Sequence, residues 1–396
     1  WNDKALHQSL REQLYDAVKL RMRADVPLGS FLSGGIDSSL VTAIAQDLSD
    51  EPVRTFSIGF PIEDFDETRY AAEVAKHLGT QHQRFEVQPD SVDILDDLVW
   101  HYDEPFGDSS AIPTYYLSRL TRGEVTVALS GDGGDELFAG YERYRALWLS
   151  QRMQRWFPAD KIPGLSWIQK LPDSSRRRSP IRRAKRFFEA LGQSPARRYL
   201  NWLQIFPESM RASLYRDDFL ESLPPADPFE FLEQAWETSE GRDVVTRASM
   251  SDVQTYLPCD LCTKVDIASM AHSLEVRQPM LDYRLVELAA SMPVKHKFRG
   301  GRGKLILQEV FGDLIPGSIF TRPKMGFGIP VAAWFRDQWK DVVRESLLGD
   351  ETRIHSFFRP EAIHECVDSH LQGRHNHGYR IWNLLILERW LRRCKS

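Results

Sequence analysis

Short apolar segments alternate with amphipathic ones over the first 130 residues, and this alternation restricts the fold more than any other feature. Strands are predicted at residues 28–32, 53–60, 83–87 and 125–129. Helices are predicted between them, at residues 40–48, 68–78, 91–100 and 113–120. Strands that alternate with helices form a parallel sheet covered on both faces. The sequence therefore predicts an α/β fold built on a parallel sheet of about five strands.

The remainder of the chain has a helical pattern. A helix over residues 3–23 is predicted by an apolar stripe with four-residue spacing, formed by Leu6, Leu10, Leu14, Val18 and Met22. From about residue 145 strand signals nearly vanish, and the apolar residues within 379–391 predict a buried C-terminal helix. We therefore expect an α/β region over residues 1–150 and a largely helical region over residues 151–396.

Composition excludes several classes of protein. Hydrophobic residues make up 42% of the 396 residues and charged residues 27%, which is typical of a globular protein and not of a disordered or fibrous one. The net charge of −5 gives no strong field toward nucleic acid or an acidic membrane. No apolar run reaches the ~20 residues of a membrane-spanning helix, and no signal peptide opens the chain at Trp1. We expect a cytoplasmic protein that lacks an upstream segment and has no nucleic-acid or membrane partner.

Two local features have a plain structural interpretation. Cys259 and Cys262 form a lone C-x-x-C in a helical pattern, without the second ligand pair that a structural zinc site needs. The four cysteines are too few for a disulfide framework in a chain of this size, which fits a reducing compartment. The basic run over residues 176–186 lacks interleaved aromatic residues, so a solvated surface segment is favoured over a nucleic-acid-binding arm.

The segment SGGIDSS (33–39) follows the first predicted strand and precedes a predicted helix. Gly34 and Gly35 let backbone amides approach an anion closely, and the helix N-terminus adds unpaired N–H groups. Three serine hydroxyls add further donors. Asp37 repels a bare phosphate, so its presence indicates a divalent cation between the carboxylate and the ligand. This loop predicts a binding site for a magnesium-bound nucleotide, and the alternative is a plain serine–glycine turn.

A second polar loop, SGDGGDE (130–136), follows the fourth predicted strand. Its three carboxylates repel one another unless a cation neutralises them. Taken alone, the segment could be a solvated acidic turn. Ligands of parallel sheets bind beyond the carboxyl ends of the strands, where both polar loops are expected. We therefore predict that the second loop supplies another ligand for the same divalent ion.

Four separated motifs give the chain a resemblance to a known family. SGGIDSS resembles the pyrophosphate-binding loop of the N-type ATP pyrophosphatases, which have an adenine nucleotide alpha hydrolase-like fold. Three further motifs resemble the synthetase domain of glutamine-dependent asparagine synthetases: SGDGGDELFAGYERY (130–144), SLEVRQPMLDYRLVELA (273–289) and RPKMGFGIP (322–330). The motifs stand in the family's order, and the resemblance extends to RIWNLLILERW (380–390) near the end of the chain.

The resemblance implies a reaction. In this family ATP converts the β-carboxylate of aspartate to an acyl-adenylate with release of pyrophosphate, and ammonia then displaces AMP to form asparagine. An N-terminal glutaminase domain supplies the ammonia, and the present chain does not contain it. The resemblance therefore implies that this chain alone uses ammonia and that a glutaminase domain or subunit lies upstream. It is also compatible with a homodimer.

The resemblance also assigns residues. Residues 1–150 would bind the nucleotide, and residues 151–396 would complete the substrate site. Asp37 and Asp135 match the aspartates that bind Mg²⁺. The positions that match ATP-binding residues are Phe31, Ser33, Gly34, Gly35, Asp37, Ser38, Ser39, Ile58, Ser130 and Gly131.

Three residues match catalytic positions, each with a structural alternative. Asp132 matches an acidic residue and could take a proton from ammonia as it attacks, although an aspartate in a turn often only caps it. Glu275 matches a glutamate facing the reacting centre, but could simply pair with Arg277. Lys324 matches a lysine beside the transferring phosphoryl group, where a cation stabilises developing charge, and its alternative is a solvated lysine.

The acceptor acid is less well specified than the reaction. The stretch DEPFGDSSAIPTYY (103–116) lacks the threonine and arginine pattern of well-known bacterial asparagine synthetases and resembles a branch that amidates other carboxylates, including cell-surface sugar acids. Asp108, Ser109 and Ser110 could contact a substrate or cap a helix.

A β-lactam-forming synthetase would carry tyrosine in place of Asp132. A tRNA-modifying enzyme would need a basic face, and a non-enzymatic scaffold would lack Asp37, Asp135 or Lys324.

Overall fold

A computed structural model of the chain describes residues 2–60, 66–87, 92–156, 184, 187–188, 190–322 and 326–394. The chain forms two compact units. The first comprises residues 1–88, 113–151 and 234–327, and the second comprises residues 89–112, 152–233 and 328–396.

The first unit contains a five-stranded sheet. Its strands are β1 (Leu28–Phe31), β2 (Arg54–Gly59), β3 (Gln81–Glu86), β4 (Val127–Leu129) and β5 (Glu275–Arg277). The order across the sheet is β3-β2-β1-β4-β5, and every neighbouring pair is parallel. The predicted α/β fold with a parallel sheet is therefore confirmed.

Helices occupy most of the remaining described chain. In chain order they are α1 (Asp3–Arg21), α2 (Ile36–Asp47), α3 (Thr68–Leu78), α4 (Asp93–Tyr102), α5 (Ala111–Arg122), α6 (Gly134–Leu137), α7 (Glu142–Trp156), α8 (Pro195–Leu203), α9 (Glu208–Leu214), α10 (Asp217–Ser222), α11 (Glu230–Glu237), α12 (Val244–Gln254), α13 (Thr263–Met270), α14 (Tyr283–Ser291), α15 (Val294–Lys297), α16 (Leu305–Phe311), α17 (Gly317–Thr321), α18 (Val331–Trp334), α19 (Lys340–Leu348), α20 (Pro360–Leu371) and α21 (Gly378–Arg393). A π-helical turn covers Leu257–Cys262, and 3₁₀ turns cover Pro279–Leu281 and Arg353–Ser356.

The core of the first unit forms where α1 packs on α2 and α16. The predicted stripe of α1 is buried at Leu6, Leu10, Leu14 and Val18, and Met22 packs partly buried at its end. Asn2 is the N-cap of α1, and its side-chain oxygen accepts hydrogen bonds from the amides of Lys4 and Ala5. Such a cap satisfies amides that have no partner within the helix. This helix therefore forms one wall of the apolar core beside the first glycine loop.

Two polar residues of β2, Thr55 and Ser57, are buried, because both faces of a parallel sheet are covered. The hydroxyls of Thr55 and Ser57 lie 3.0 and 3.1 Å from the two ring nitrogens of His82 on β3. Phe56, which lies between them in the strand, is buried as well. One imidazole thus satisfies two hydroxyls at the edge of the sheet.

Strand β5 was not predicted as a strand. It has three residues, Glu275 to Arg277, and pairs only with β4 at the sheet edge. A three-residue segment is too short to display the alternation by which strands are recognised. The sequence after residue 145 is otherwise helical where the structure describes it, and the predicted C-terminal helix is confirmed as α21.

The expectation for Cys259 and Cys262 can be compared with the structure, whereas the expectation for the basic run over residues 176–186 largely cannot. Cys259 and Cys262 lie in the π-helical turn as free thiols, in agreement with the helical interpretation. Most of the basic run over residues 176–186 lies outside the described residues. Within the part of the chain that is described, no helix has the length and apolar character needed to cross a membrane.

Candidate active site

The first glycine loop joins the carboxyl end of β1 to the first turn of α2. Gly34 has φ +70°, a conformation that favours glycine, and Gly35 is the N-cap of α2. The hydroxyls of Ser33 and Ser38 lie 3.0 Å apart, and the amide of Gly35 donates to the Ser33 hydroxyl at 3.3 Å. The loop therefore presents amides and hydroxyls around a helix N-terminus, as an anion site requires.

The second glycine loop packs directly on the first. A Cβ atom added to Gly131 would lie 2.5 Å from the amide nitrogen of Ser38, which no side chain tolerates. A Cβ atom at Gly134 would overlap the carboxylate of Asp37. The two glycines thus allow the loops after β1 and β4 to interlock. As predicted, the two polar loops meet at one edge of the sheet.

This contact brings the carboxylates of Asp37 and Asp135 together around one cation. The ammonium of Lys304 forms ion pairs with Oδ2 of Asp37 and with Oδ1 of Asp135, the latter at 2.6 Å. The Lys304 side chain is 9% exposed, and the aspartate side chains are 15% and 18% exposed. Nearly buried carboxylates of equal charge need such a counter-charge.

The backbone holds Lys304 in this position. Its amide donates to the carbonyl oxygen of Phe138 at 2.8 Å, and its φ of +57° is unusual for a residue other than glycine. A Cβ atom at the preceding Gly303 would overlap the carbonyl of Ala139, so these segments pack backbone to backbone. Burial opposes the charge of Lys304, but the two aspartates hold the pKa of its ammonium above the ordinary value. Lys304 therefore remains protonated.

Asp132 lies in the same loop as Asp135, three residues before it. Its carboxylate accepts a hydrogen bond from the Ser130 hydroxyl, and its amide donates to that hydroxyl at 3.3 Å. Burial raises the pKa of Asp132, and the Ser130 hydrogen bond and the charge of Lys264 on α13 partly offset this rise. A carboxylate with a raised pKa is a better proton acceptor than an exposed one.

A network of buried polar groups also contacts the end of the acidic loop at Glu136. The Tyr141 hydroxyl donates to the buried carboxylate of Glu136, and the Ser249 hydroxyl donates to the Glu136 carbonyl at 2.6 Å. The guanidinium of Arg143 lies 3.7 Å from the centre of the Tyr141 ring and pairs with the buried Asp252 at 2.8 Å. Interconnected buried polar groups of this kind rigidify the segment that carries them.

The remaining predicted ATP-binding residues lie at the same edge of the sheet. Phe31 is the last residue of β1, and Ile58 is the next-to-last residue of β2 and is buried. Ser130 and Gly131 directly follow β4. Ser39 lies fully buried in α2, and its hydroxyl has no hydrogen-bond partner among the described residues.

The structure does not bring Glu275 into the aspartate cluster. Glu275 lies at the amino end of β5, opposite Val127, whereas the acidic loop follows the carboxyl end of β4. Its side chain is 56% exposed and pairs with Arg277 at 2.7 Å, in agreement with the structural alternative for this residue. The Arg277 hydrogen bond lowers the pKa of Glu275. Lys324 lies outside the described residues.

In the second unit, Asp108 acts as a turn cap. Its carboxylate accepts hydrogen bonds from the amide of Ser110 at 2.9 Å and from the Ser110 hydroxyl at 2.5 Å, directly before α5. Ser109 and Ser110 are buried. These contacts agree with the capping interpretation of this segment.

Two aspartates alone would be a small ligand set for a metal ion. Among the described residues, no group of three or more histidine, cysteine, aspartate or glutamate side chains is arranged around a metal position. Mg²⁺ is usually held by one or two carboxylates together with substrate phosphates and water. The paired carboxylates of Asp37 and Asp135, which already attract a cation, fit that arrangement.

Sequence reasoning missed two cations of this site, Lys304 and Arg322. Lys304 follows a glycine-rich stretch without a recognisable motif, and Arg322 begins the RPKMGFGIP motif, in which the family resemblance points to Lys324. The available signal was electrostatic: three carboxylates in a buried loop require nearby positive charge. No pattern within the sequence shows which lysine or arginine supplies it.

Comparison with known proteins agrees with this geometry. A family profile described as asparagine synthase matches residues 9–392. Asparagine synthetase [glutamine-hydrolyzing] 1 of Bacillus subtilis is 31% identical over 394 residues, which cover 97% of this chain and 59% of that protein. A protein of Mycobacterium tuberculosis is 32% identical over 399 residues, which cover 98% of this chain and 58% of its own length.

A more distant relative has a different name. Amidase chyE of Penicillium rubens is 24% identical over 413 residues, which cover 93% of this chain and 59% of that protein. The chain thus spans less than two thirds of the length of each of these three relatives. From the profile match and the relatives above 30% identity, the chain belongs to the asparagine synthase family.

Proposed function

We propose that this chain is the synthetase part of an ATP-dependent, AMP-forming amide ligase whose acceptor is the side-chain carboxylate of aspartate. The observation that carries the proposal is the convergence of Asp37 and Asp135 on one buried cation beside the SGGIDSS loop. Family membership supports the same conclusion. ATP, a carboxylic acid and ammonia are the proposed substrates, and a glutaminase domain or subunit is the proposed nitrogen-supplying partner.

The first half-reaction forms an acyl-adenylate. An oxygen of the acceptor carboxylate attacks the α-phosphorus of ATP, and the bond from that phosphorus to the bridging oxygen breaks, so pyrophosphate leaves. In our proposal the amides of the first loop and the hydroxyls of Ser33, Ser38 and Ser39 bind the pyrophosphate portion. Phe31, Ile58, Ser130 and Gly131 contact the adenosine and α-phosphate portions.

Asp37 and Asp135 would hold the proposed Mg²⁺. When bound, this ion supplies charge neutralisation for the phosphate oxygens. To hold one ion, the two carboxylates must lie close together. The interlocked loops support this arrangement, because they keep Asp37 and Asp135 side by side. Residues 1–150 would form the nucleotide-binding region, and Lys304 supports our proposal that residues 151–396 complete the site.

The second half-reaction forms the amide. Ammonia attacks the acyl carbon, the bond from that carbon to the phosphate oxygen of AMP breaks, and the nitrogen loses a proton. We assign the acceptance of that proton to Asp132, whose raised pKa and position in the acidic loop support the role. Roles for Glu275 and Lys324 remain proposals from the family resemblance.

Another carboxylic acid is the second candidate for the acceptor. The departure of residues 103–116 from the familiar aspartate-recognition pattern and the distant relative named as an amidase support this alternative. An intramolecular, β-lactam-forming reaction is disfavoured because Asp132 stands where those enzymes carry tyrosine.

The test is the exchange of labelled pyrophosphate into ATP, with Mg²⁺ and aspartate present. We expect aspartate-dependent exchange, because adenylation is reversible before ammonia is added. Asp37→Ala should abolish it, since this variant loses a metal-binding carboxylate and keeps the loop glycines. Exchange only with another acid would move the acceptor to that acid. An absence of exchange with any acid would refute the ligase.

A further inference from the structure

Arg322 is a buried cation beside the first glycine loop. It follows α17, and its side chain is 9% exposed. One terminal nitrogen, Nη2, pairs with the Glu67 carboxylate at 2.6 Å. The guanidinium carbon lies 4.4 Å from the centre of the Tyr70 ring. Glu67 and Tyr70 therefore hold the guanidinium against the start of α3.

The start of α3 is in direct contact with the loop. A Cβ atom on Gly34 would lie 2.6 Å from backbone atoms of Tyr70 and Ala71. A Cβ atom on Gly35, the N-cap of α2, would lie 3.8 Å from Nη2 of Arg322. A fixed arginine thus stands beside the donors that the loop offers to an anion.

The second terminal nitrogen of Arg322 is unsatisfied. Nη1 is buried and has no hydrogen-bond partner among the described residues. A buried donor without a partner carries a desolvation cost, so such groups are rare unless a ligand or water completes them. The same guanidinium approaches Gly35 through Nη2, so the loop amides and hydroxyls and the free Nη1 group form one set of donors that complements phosphate oxygens.

From these contacts we infer that Arg322 is a further pyrophosphate-binding residue of the site. Its Nη1 group donates to a non-bridging oxygen of the β- or γ-phosphoryl group, while Nη2 stays on Glu67. The inference rests on the proposed function, because the ligand is the pyrophosphate portion of ATP. A guanidinium held by a carboxylate and a ring loses little side-chain freedom on binding, and its planar fork offers several N–H donors to phosphate oxygens.

The experiment measures binding by isothermal titration calorimetry, with magnesium pyrophosphate and AMP as separate probes. It compares the unmodified chain with Arg322→Gln and Glu67→Gln. We expect Arg322→Gln to weaken pyrophosphate binding by about tenfold or more, which is the loss typical of one charge-assisted hydrogen bond. AMP affinity should stay unchanged, because AMP lacks the β- and γ-phosphates. Glu67→Gln keeps the guanidinium and removes a negative charge, so its pyrophosphate affinity should equal or exceed that of the unmodified chain.

The two variants separate a binding role from a structural one. If Arg322 served only to pair with Glu67, both variants would lose pyrophosphate affinity equally, and that result would overturn the inference. Arg322→Lys keeps the charge but has a single ammonium for two acceptors. It should weaken pyrophosphate binding severalfold with an unfolding midpoint near that of the unmodified chain, and normal affinity in this variant would also overturn the inference.

The failure of the proposed function would look different. If the unmodified chain bound neither pyrophosphate nor AMP, the ligase proposal would fail, and the assignment of Arg322 with it. If the unmodified chain bound both probes and Arg322→Gln bound both equally well, only the assignment of Arg322 would fail.

Discussion

Burial gives Asp132 a chemistry that distinguishes it from the two neighbouring aspartates. Asp37 and Asp135 share the ammonium of Lys304, whereas Asp132 accepts from the hydroxyl of Ser130 and has a raised pKa. The two loops together thus offer two carboxylates suited to a cation and one suited to a proton. The division of roles follows from the partner of each side chain.

This division predicts a selective effect of Asp132→Asn. The variant should retain pyrophosphate exchange and lose amide formation by about 100-fold, the contribution typical of a general base. Both rates are measured on the same preparation. Because the pKa of Asp132 is raised, amide formation by the unmodified chain should also decline on acidification at a higher pH than an ordinary aspartate would cause.

Asp135→Asn provides the contrast, because it removes a proposed metal ligand and should lower exchange and amide formation together. Equal losses of both rates in Asp132→Asn would show that Asp132 is structural.

Lys304 predicts a link between stability and divalent cations. Lys304→Gln leaves two nearly buried carboxylates without their counter-charge, so the free energy of unfolding should fall by about 3 kcal/mol in metal-free buffer. Mg²⁺ should restore much of that loss, because it binds the carboxylate pair in the folded state only. Chemical denaturation with and without Mg²⁺ measures both effects.

Arg284→Gln is the matched control in the same unit. Arg284 also bridges two carboxylates, those of Asp282 and Asp16, away from the glycine loops in sequence. Its loss should reduce stability without rescue by Mg²⁺. Equal rescue of both variants would contradict the proposed metal position.

At the scale of elements, His370 couples the second unit's stability to pH. This residue of α20 is fully buried, and its ring nitrogens contact the Ala332 carbonyl at 3.1 Å and the His377 amide at 3.1 Å. Burial, and then the charge of Arg336, lower the pKa of His370 from 6.5 to about 4. As the pH falls from 6.5 to about 4, His370 binds a proton in the unfolded chain but not in the folded chain, so the free energy of unfolding decreases.

His370→Gln should therefore flatten the pH dependence of unfolding in this range. The unmodified chain should lose about 2 kcal/mol more than the variant between pH 7 and pH 5, measured by urea denaturation. His364→Gln, an exposed position on the same helix, should behave as the unmodified chain. A variant curve parallel to that of the unmodified chain would contradict this account.

Elements with a clear period were predictable from the sequence. Helix α3 has the predicted bounds of 68 and 78 and ends at Gly79 with φ +70°, because glycine accepts the left-handed conformation at that position. Strands β1, β2 and β4 lie within two residues of their predicted bounds. Strand β5 was missed because pairing with β4, a contact distant in sequence, defines it.

The site residues that lie in recognisable motifs were predictable from the sequence, and the others were not. The loops around Asp37 and Asp135 were expected to meet, and they do. Lys304 and Arg322 were missed because their positions follow from tertiary packing against Ala139 and Tyr70, which no local pattern encodes. The three carboxylates of the acidic loop imply that cations lie nearby, but they do not show which lysine or arginine residues these are.

For the whole molecule, the proposed division of labour predicts a dependence on the nitrogen source. By the family resemblance, glutamine hydrolysis belongs to a separate glutaminase domain, whereas the asparagine synthase profile covers residues 9–392 of this sequence. This chain should therefore form the amide with ammonium chloride and show no amide formation with glutamine, measured by product chromatography. Addition of a glutaminase domain should be needed for glutamine use, and glutamine-dependent synthesis by this chain alone would contradict that division.

The interlocked glycines have a consequence for how such a chain can diversify. Because Gly131 packs on the Ser38 amide and Gly134 packs on Asp37, neither glycine can accept a side chain without displacing the first loop. A library that randomises these two glycines should return almost only inactive clones, whatever acceptor is selected for. New acceptor preferences would then have to arise in segments outside this junction, leaving the ATP-consuming machinery unaltered.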